Sequence, residues 1–157
     1  MKLIRKILTT TDLSAFSAKG VRYAFQLAKS AGAEVIIAHA LKTEEFLSHA
    51  RGLEMAEPGA QENTLLERLA DQHKDALGRF SEEQLADLNL DLKVRQIVEM
   101  GEPQTLIVNW AKNEGVDLIV MSTHGRSGLP RMMLGSVTER VIRSAPCPVL
   151  AIPFHEG

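Results

Sequence analysis

The feature that most constrains the fold of this 157-residue chain is the regular alternation of short apolar runs with longer helical segments. Residues 35–38 are a continuous apolar run, and residues 117–121 carry Leu118, Ile119 and Val120 at their centre. Runs of this kind are typical of strands that are covered on both faces. Three further strands are predicted at residues 4–10, 90–96 and 148–152.

Helical periodicity separates these strands and predicts helices at residues 15–30, 61–87, 103–114 and 136–144. Ser14 is a preferred N-cap, Pro103 suits the first position of a helix, and Gly32 is a usual terminator. Residues 42–60 hold several glutamates and the pair Pro58-Gly59. We expect a loop there, with at most a short helical turn.

Strands that alternate with helices predict an α/β fold in which a parallel sheet carries helices on both faces. A chain of 157 residues has the size of one ordinary domain. The sequence therefore predicts a single domain over residues 1–157, built on an open, twisted, parallel sheet of five strands.

Charge and cysteine content limit the partners of the chain. Its 18 lysines and arginines and 20 aspartates and glutamates leave a net charge of −2, so no broad positive field favours nucleic acid. The single cysteine, Cys147, excludes an intrachain disulfide and fits a reducing compartment. No apolar stretch reaches the roughly 20 residues of a membrane span. We expect a cytoplasmic protein that neither binds nucleic acid nor inserts into membranes.

Two polar segments directly follow predicted strands. Thr10, Thr11 and Asp12 come after the first strand, and residues 122–138 come after the fourth. In open α/β sheets, ligands bind beyond the carboxyl ends of the strands, where the strand order reverses. The second segment is also longer than the roughly 2–6 residues of an ordinary strand-to-helix connection. Both observations favour a ligand site at these strand ends.

The physical properties of the longer segment suit a polyphosphate. Gly125 and Gly128 let the backbone approach a ligand closely. A helix that begins at Gly135 or Ser136 would present free N–H groups and the positive end of its dipole to an anion. The segment adds further donors and positive charge from Ser136, Thr138, Arg126 and Arg131. The alternative, that the glycines only form turns and Ser136 only caps a helix, stays open on the residues alone.

The spacing of Gly125, nine residues, and then Gly135-Ser136 resembles the universal stress protein family. Nucleotide-binding members of that family carry glycine, two residues, glycine, nine residues, and then Gly-Ser or Gly-Thr. Ser122 stands where this pattern has its first glycine. The resemblance covers the whole chain, including its opening at residues 7–14 and its ending at residues 145–150.

The resemblance implies a Rossmann-like fold, similar to that of the adenine nucleotide alpha hydrolases, with strand order 3-2-1-4-5. It implies ATP or AMP as the ligand, with magnesium or manganese bridging the phosphates. By position, the resemblance implies that Thr10, Thr11, Asp12 and Ala40 would face the ribose and adenine. Met121, Ser122 and Gly125 would lie along the ribose and α-phosphate. The outer phosphates would be held by Gly135, Ser136, Val137 and Thr138. The last strand, residues 149–152, would form an exposed sheet edge and pair in a homodimer.

We therefore expect a stress-response regulator that binds an adenine nucleotide and hydrolyses ATP slowly at most. A nucleotide-processing enzyme is one alternative, although the chain lacks a lysine-bearing phosphate loop. A phosphoacceptor receiver domain is another, but the third strand ends in Glu99-Met100-Gly101 without an aspartate. A nucleotide-free, dimeric interaction protein of the same fold is the third.

Several single residues admit two interpretations. Asp12 would contact a ligand or cap the first helix, and His124 would reach a phosphate or serve the loop structure. His39 and Trp110 are expected in the core, the former with a hydrogen bond. Cys147 is expected to pack rather than react. The run Met132-Met133-Leu134 would cover the ligand or wedge against the core, and the second is expected.

Overall fold

The computed structural model describes residues 3–59, 61–124 and 133–154. Its elements, in chain order, are β1 (Lys6–Thr10), α1 (Ala15–Ala31), β2 (Glu34–Leu41), α2 (Thr43–Ala56), α3 (Glu62–Ala86), β3 (Val94–Met100), α4 (Pro103–Asn113), β4 (Leu118–Ser122), α5 (Ser136–Ser144) and β5 (Val149–Ile152). Within this part of the chain, no helix has both the length and the apolar character needed to cross a membrane.

The five strands form one parallel sheet in the order β3-β2-β1-β4-β5. Leu8 of β1 lies between Ile36 of β2 and Ile119 of β4. The predicted fold class and the strand order implied by the resemblance are thus confirmed. Because β1 and β4 are neighbours, the polar residues that follow them lie at the same edge of the sheet.

Each face of the sheet carries its own hydrophobic core. On one face, α1 and α3 contribute Phe25 and Leu77, which pack with Ile7 and other residues of the sheet. On the other face, α4 and α5 contribute Trp110 and Val141, which pack with Leu8, Ile36 and Ile119. The predicted core position of Trp110 is confirmed, since its side chain is 4% exposed.

The prediction of a loop over residues 42–60 is wrong for most of that segment, because α2 occupies Thr43–Ala56. Phe46 is buried and packs with Leu41 and Leu69, joined by Ala50 and Leu53 at helical spacing. Two glutamates in the first turn, Glu44 and Glu45, also favour a helix N-terminus. The many polar residues belong to the exposed face of an amphipathic helix.

The third strand begins later than predicted. β3 spans Val94–Met100, whereas the alternating pattern predicted residues 90–96. Leu90 and Leu92 precede β3 and still pack, partly buried, against the core of α1 and α3. The alternation therefore identified Leu90, Leu92 and Val94 as core-facing residues but misplaced the hydrogen-bonded segment.

Candidate functional site

A cavity of about 220 Å³ opens at the carboxyl ends of β1, β2 and β4. Most of the predicted site residues line it: Thr10, Thr11, Asp12, Ala40, Met121, Ser122, Gly135, Ser136, Val137 and Thr138. Gly125 and Arg126 lie outside the described residues, as do Gly128 and Arg131. Two distant polar segments of the chain are therefore brought to one cavity.

The turn after β1 forms one wall of the cavity and also organises the start of α1. The Asp12 carboxylate accepts hydrogen bonds from the Ser14 backbone N–H, at 3.0 Å, and from the Ser14 hydroxyl. The Thr11 hydroxyl pairs with the Ser17 hydroxyl at 2.7 Å and accepts from the Leu13 N–H at 2.9 Å. Asp12 thus holds the N-cap residue Ser14 in place and does not cap α1 itself, since Ser14 is the N-cap, and ligand contact by Asp12 stays a prediction.

The N-terminus of α5 also lies at the cavity, and Gly135 sets its position. The Gly135 N–H donates to the Thr123 carbonyl at 2.9 Å. A Cβ on Gly135 would lie 2.7 Å from that same oxygen, so only glycine fits this close approach of two backbones. α5 then begins at Ser136, at the cavity.

No side chain of the described residues caps α5, in contrast to α1, where Ser14 accepts from the Ser17 N–H. The first N–H groups of a helix have no acceptor within the helix itself. Ser136, Val137 and Thr138 therefore present backbone donors and the positive end of the helix dipole at the cavity. The Thr138 hydroxyl, expected as an additional donor to the ligand, donates instead to the Ser122 carbonyl at 3.0 Å.

The hydroxyl of Ser122 is turned towards α1. It accepts from the Gly20 N–H at 3.1 Å and donates to the Ser17 carbonyl at 3.3 Å. A Cβ on Gly20 would lie 2.7 Å from this hydroxyl and 2.8 Å from the Ser122 nitrogen. The side chain that replaces the first glycine of the family pattern is therefore accommodated by a glycine on the facing helix.

An apolar wall completes the cavity between β2 and α4. Ala38 and Ala40 lie at the end of β2, and Ile107 and Trp110 approach from α4. The Trp110 ring nitrogen is buried and has no hydrogen-bond partner among the described residues. The helical spacing of Trp110 predicted a core position and gave no indication that α4 reaches the site. Helical periodicity identifies the buried face of a helix, and only the packing shows which buried residues reach a cavity.

Lys42 and Glu45 also line the cavity and were missed. Both belong to the segment that was predicted as a loop, at the start of α2. Phe46, next to Glu45, is buried, and this apolar residue is the feature of the sequence from which a packed helix could have been predicted here.

Two histidines of the cavity wall make defined hydrogen bonds. His39 is 1% exposed, and its Nδ1 lies 2.9 Å from the Thr11 carbonyl oxygen, so its prediction as a hydrogen-bonded core residue is confirmed. The Nδ1 atom of His124 lies 2.8 Å from the Thr123 hydroxyl. That bond shows the structural role for His124, and phosphate contact stays a prediction.

Met133 and Leu134, which precede α5, do not pack as expected. They are 57% and 40% exposed, so the prediction that they wedge against the core is wrong for both. Their backbone leads to Gly135 at the cavity, and the contact between Gly135 and Thr123, rather than apolar packing of these two side chains, positions the start of α5.

Electrostatically, the cavity wall contains Asp12 and Glu45 together with Lys42 and two histidines. Within the described residues, no group of three or more histidine, cysteine, aspartate or glutamate side chains could hold a metal ion. The wall therefore offers helix N–H donors and mixed charges rather than a metal-binding carboxylate cluster.

The five-stranded parallel sheet, with helices on both faces and a cavity at the carboxyl ends of its strands, defines the class of open α/β proteins. The sequence profile of the universal stress protein family matches residues 3–153. The chain belongs to this family.

Individual relatives agree over nearly the full chain. Universal stress protein MJ0531 of Methanocaldococcus jannaschii is 33% identical over 150 residues, which cover 96% of this chain and 82% of the relative. The solved structure of MJ0577 from the same organism superposes with a TM-score of 0.77 at 30% identity, covering 99% of this chain and all of that one.

Two more distant structures contain nucleotides. A universal stress protein in complex with cAMP has a TM-score of 0.61 at 20% identity and covers 98% of this chain and 100% of its own. The protein from Archaeoglobus fulgidus in complex with dAMP has a TM-score of 0.60 at 20% identity and covers 96% and 99%. At this identity they show the shared fold.

Proposed function

We propose that this protein is a regulatory binder of an adenine nucleotide, ATP or AMP, in a stress response. The observation that carries the proposal is the N-terminus of α5, which no side chain of the described residues caps and which lies at a cavity with an apolar wall. Family members whose structures contain cAMP or dAMP support an adenine nucleotide as the ligand class.

The phosphates would lie at the start of α5. Backbone N–H groups of Ser136, Val137 and Thr138 and the helix dipole favour an anion there. The Ser136 hydroxyl would add a donor, and Gly125 and Arg126 would complete this half of the site. Since the Thr138 hydroxyl already holds the Ser122 carbonyl, Thr138 would contribute its backbone alone.

The base and ribose would lie towards β2 and α4. Ala38, Ala40, Ile107 and Trp110 provide an apolar surface of the kind that a planar base buries. The Ala40 backbone would meet the base edge, and Asp12 would meet the ribose. Because the Ser122 hydroxyl points towards α1, a serine at this position would not obstruct the part of the cavity in which we place the ribose.

Magnesium or manganese would enter with the nucleotide. The described residues offer no cluster of carboxylates, histidines or cysteines for a resident ion. Phosphate oxygens are the ligands through which proteins usually hold magnesium beside a nucleotide. Metal affinity would therefore depend on the triphosphate.

The protein would hydrolyse ATP slowly at most. Among the carboxylates and histidines that line the cavity, Asp12 supports a loop through Ser14, His124 through Thr123, and His39 through Thr11. Sustained turnover near the common enzyme median of about 10 per second would contradict this proposal and favour a nucleotide hydrolase.

A homodimer would form along β5. β5 is an edge strand whose pairing in the sheet is to β4, and an open edge of apolar residues favours association. Light scattering should give twice the mass of the chain, and a monomer at micromolar concentration would rule this out.

Thermal unfolding tests nucleotide binding directly. Millimolar ATP with magnesium, or AMP, should raise the Tm, because a ligand at about 100 times its Kd adds about 2.7 kcal/mol to folding stability. Gly135→Ala should lose this response, since the added Cβ meets the Thr123 carbonyl and displaces the start of α5.

Gly52→Ala is the matched control for that variant. Gly52 lies on the exposed side of α2, where an added Cβ would meet no described atom within 4 Å outside the adjacent backbone of its own helix, so the nucleotide response should remain. If neither ATP nor AMP shifts the Tm of the wild-type protein, the nucleotide-free interaction protein becomes the better description.

A further inference from the structure

A pair of histidines links the candidate site to α3. His39, at the end of β2, is buried, and its Nε2 lies 3.1 Å from Nδ1 of His73. The other nitrogen of His39, Nδ1, lies 2.9 Å from the Thr11 carbonyl oxygen. The two rings are nearly parallel, with an interplanar angle of 10° and centroids 5.2 Å apart. We call His39 and His73 the histidine pair.

These contacts determine where the protons of the neutral pair lie. A carbonyl oxygen only accepts, so Nδ1 of His39 must carry a proton and donate to Thr11. In a neutral imidazole the other nitrogen is then an acceptor, so Nε2 of His39 accepts from the Nδ1–H of His73. Both rings of the neutral pair therefore carry their proton on Nδ1.

Adding protons has two different consequences. One additional proton keeps both hydrogen bonds, because either ring can carry the charge while one N–H still bridges the two nitrogens. A second proton places two N–H donors against each other at the 3.1 Å contact and adds repulsion between two cations. The pair therefore holds one extra proton with its geometry intact, and a second one breaks it.

The pair lies where its charge reaches a ligand. His39 lines the cavity, and its partner Thr11 belongs to the turn that carries Asp12. Asp12 after β1, Glu45 of α2 and Lys42 after β2 line the same cavity; by charge alone the two carboxylates would favour an added proton on the pair and the lysine would disfavour it. His49 of α2 also faces His73, with ring centroids 6.1 Å apart.

We propose that His39 and His73 are positioning residues whose shared proton sets the affinity of the cavity for an anionic nucleotide. The inference rests on the proposed function. The first proton places a positive charge beside the cavity and leaves the Thr11–Asp12 turn in place, so nucleotide binding tightens as the pH falls. The second proton separates the rings and releases the turn, so binding weakens again at lower pH.

The experiment measures the Kd of AMP by calorimetry from pH 5 to pH 8.5 for the wild type and the double variant H39N/H73N. An asparagine amide at position 39 can still donate to the Thr11 carbonyl and does not titrate. The affinity at pH 8.5 serves as the reference for each protein separately, because His39 lines the cavity. Between pH 8.5 and pH 6 the wild type should gain at least about fivefold more in affinity than H39N/H73N does, a coupling of ordinary size. Titration of AMP itself affects both proteins equally and cancels in the comparison.

His49→Gln is the matched control. His49 is exposed and its Nδ1 lies 2.7 Å from the Glu45 carbonyl of its own helix, so this variant should follow the wild-type pH profile. Parallel profiles for the wild type and H39N/H73N would overturn the inference and leave the proposed function standing. Absence of AMP binding at every pH would overturn both.

A second measurement on the unmodified protein protects the test against a misfolded variant. Long-range ¹H–¹⁵N NMR of the histidine rings should show protons on Nδ1 of both His39 and His73 at high pH, followed by a single shared protonation. A proton on Nε2 of His39 in the neutral protein, or two independent titrations, would contradict the proposal.

Discussion

Ser122 and Gly20 show how a single substitution in a family pattern is absorbed by its neighbour. The serine side chain occupies the space that a side chain on residue 20 would need, and its hydroxyl bonds to the backbone of α1. The serine that departs from the glycine pattern thus makes a contact between β4 and α1. The sequence motif alone does not show this contact.

Ser122→Gly should therefore cost stability and leave ligand affinity nearly unchanged. The variant loses two buried hydrogen bonds of the hydroxyl and gains backbone freedom, a cost of about 1–3 kcal/mol. Urea unfolding measures the stability, and calorimetry with ATP measures the affinity. A variant that binds ATP more than tenfold more tightly would show that the serine does obstruct the ribose half.

At the scale of elements, α2 differs from the other helices in how it is held. Its buried residue is Phe46, which joins Leu41 and Leu69 in a small cluster apart from the two main cores. α1 and α4, in contrast, bury several residues each against the sheet. A helix anchored by few buried contacts opens at lower free energy than the core does.

Phe46→Ala should release α2 and leave the sheet folded. Truncating a buried phenylalanine costs about 3–5 kcal/mol. Because Phe46 is the buried residue of α2, we expect this cost to weaken the packing of α2 against the rest of the protein. Hydrogen exchange should become fast for the amides of α2 and stay slow for β1 and β4. Leu47→Ala, at a side chain that is 49% exposed, is the control and should change little. Equal loss of protection in β1 would show that α2 is part of the cooperative core.

At the scale of the whole molecule, ion pairs link residues near the starts of β1, β2 and β3, at the edge of the sheet opposite the cavity. Lys6 of β1 lies 3.2 Å from the Glu34 carboxylate of β2, and Lys93 lies 3.6 Å from the same group. The hydrogen bond from Lys6, together with the two positive charges, lowers the pKa of Glu34 below its ordinary value of 4.5. Arg95 lowers the pKa of Glu114 in the same way.

A lowered carboxylate pKa makes part of the folding stability dependent on pH. The unfolded chain binds a proton at Glu34 near pH 4.5, whereas the folded chain resists it, so the contribution exists above that pH and is lost as the pH falls further. Glu34→Gln should therefore reduce stability at pH 7 and have a shrinking effect below pH 4.5. Urea unfolding at several pH values measures this, and a constant difference would contradict it.

Much of the fold followed from residue patterns because those patterns report local physics. Continuous apolar runs predicted β2 and β4, since strands buried on both faces need apolar residues at every position. Ser14, Gly32 and Pro103 marked helix ends because caps act through neighbouring backbone groups. The α2 helix was not predicted because its exposed face is very polar, and the few apolar residues at helical spacing, Phe46, Ala50 and Leu53, gave only a weak helical pattern.

The sequence by itself determined the family, the α/β class and the two polar segments that form the candidate site. Those properties depend on spacing and periodicity, which are written along the chain. Only the tertiary structure decided that Trp110 and Ile107 line the cavity, that Gly20 makes room for Ser122, and that His39 meets His73. Gly20 and Ser122 are 102 positions apart in the sequence, and His39 and His73 are 34 positions apart. Residue spacing within one helix or strand does not predict such contacts, because they form only when the order of the strands brings separate elements together.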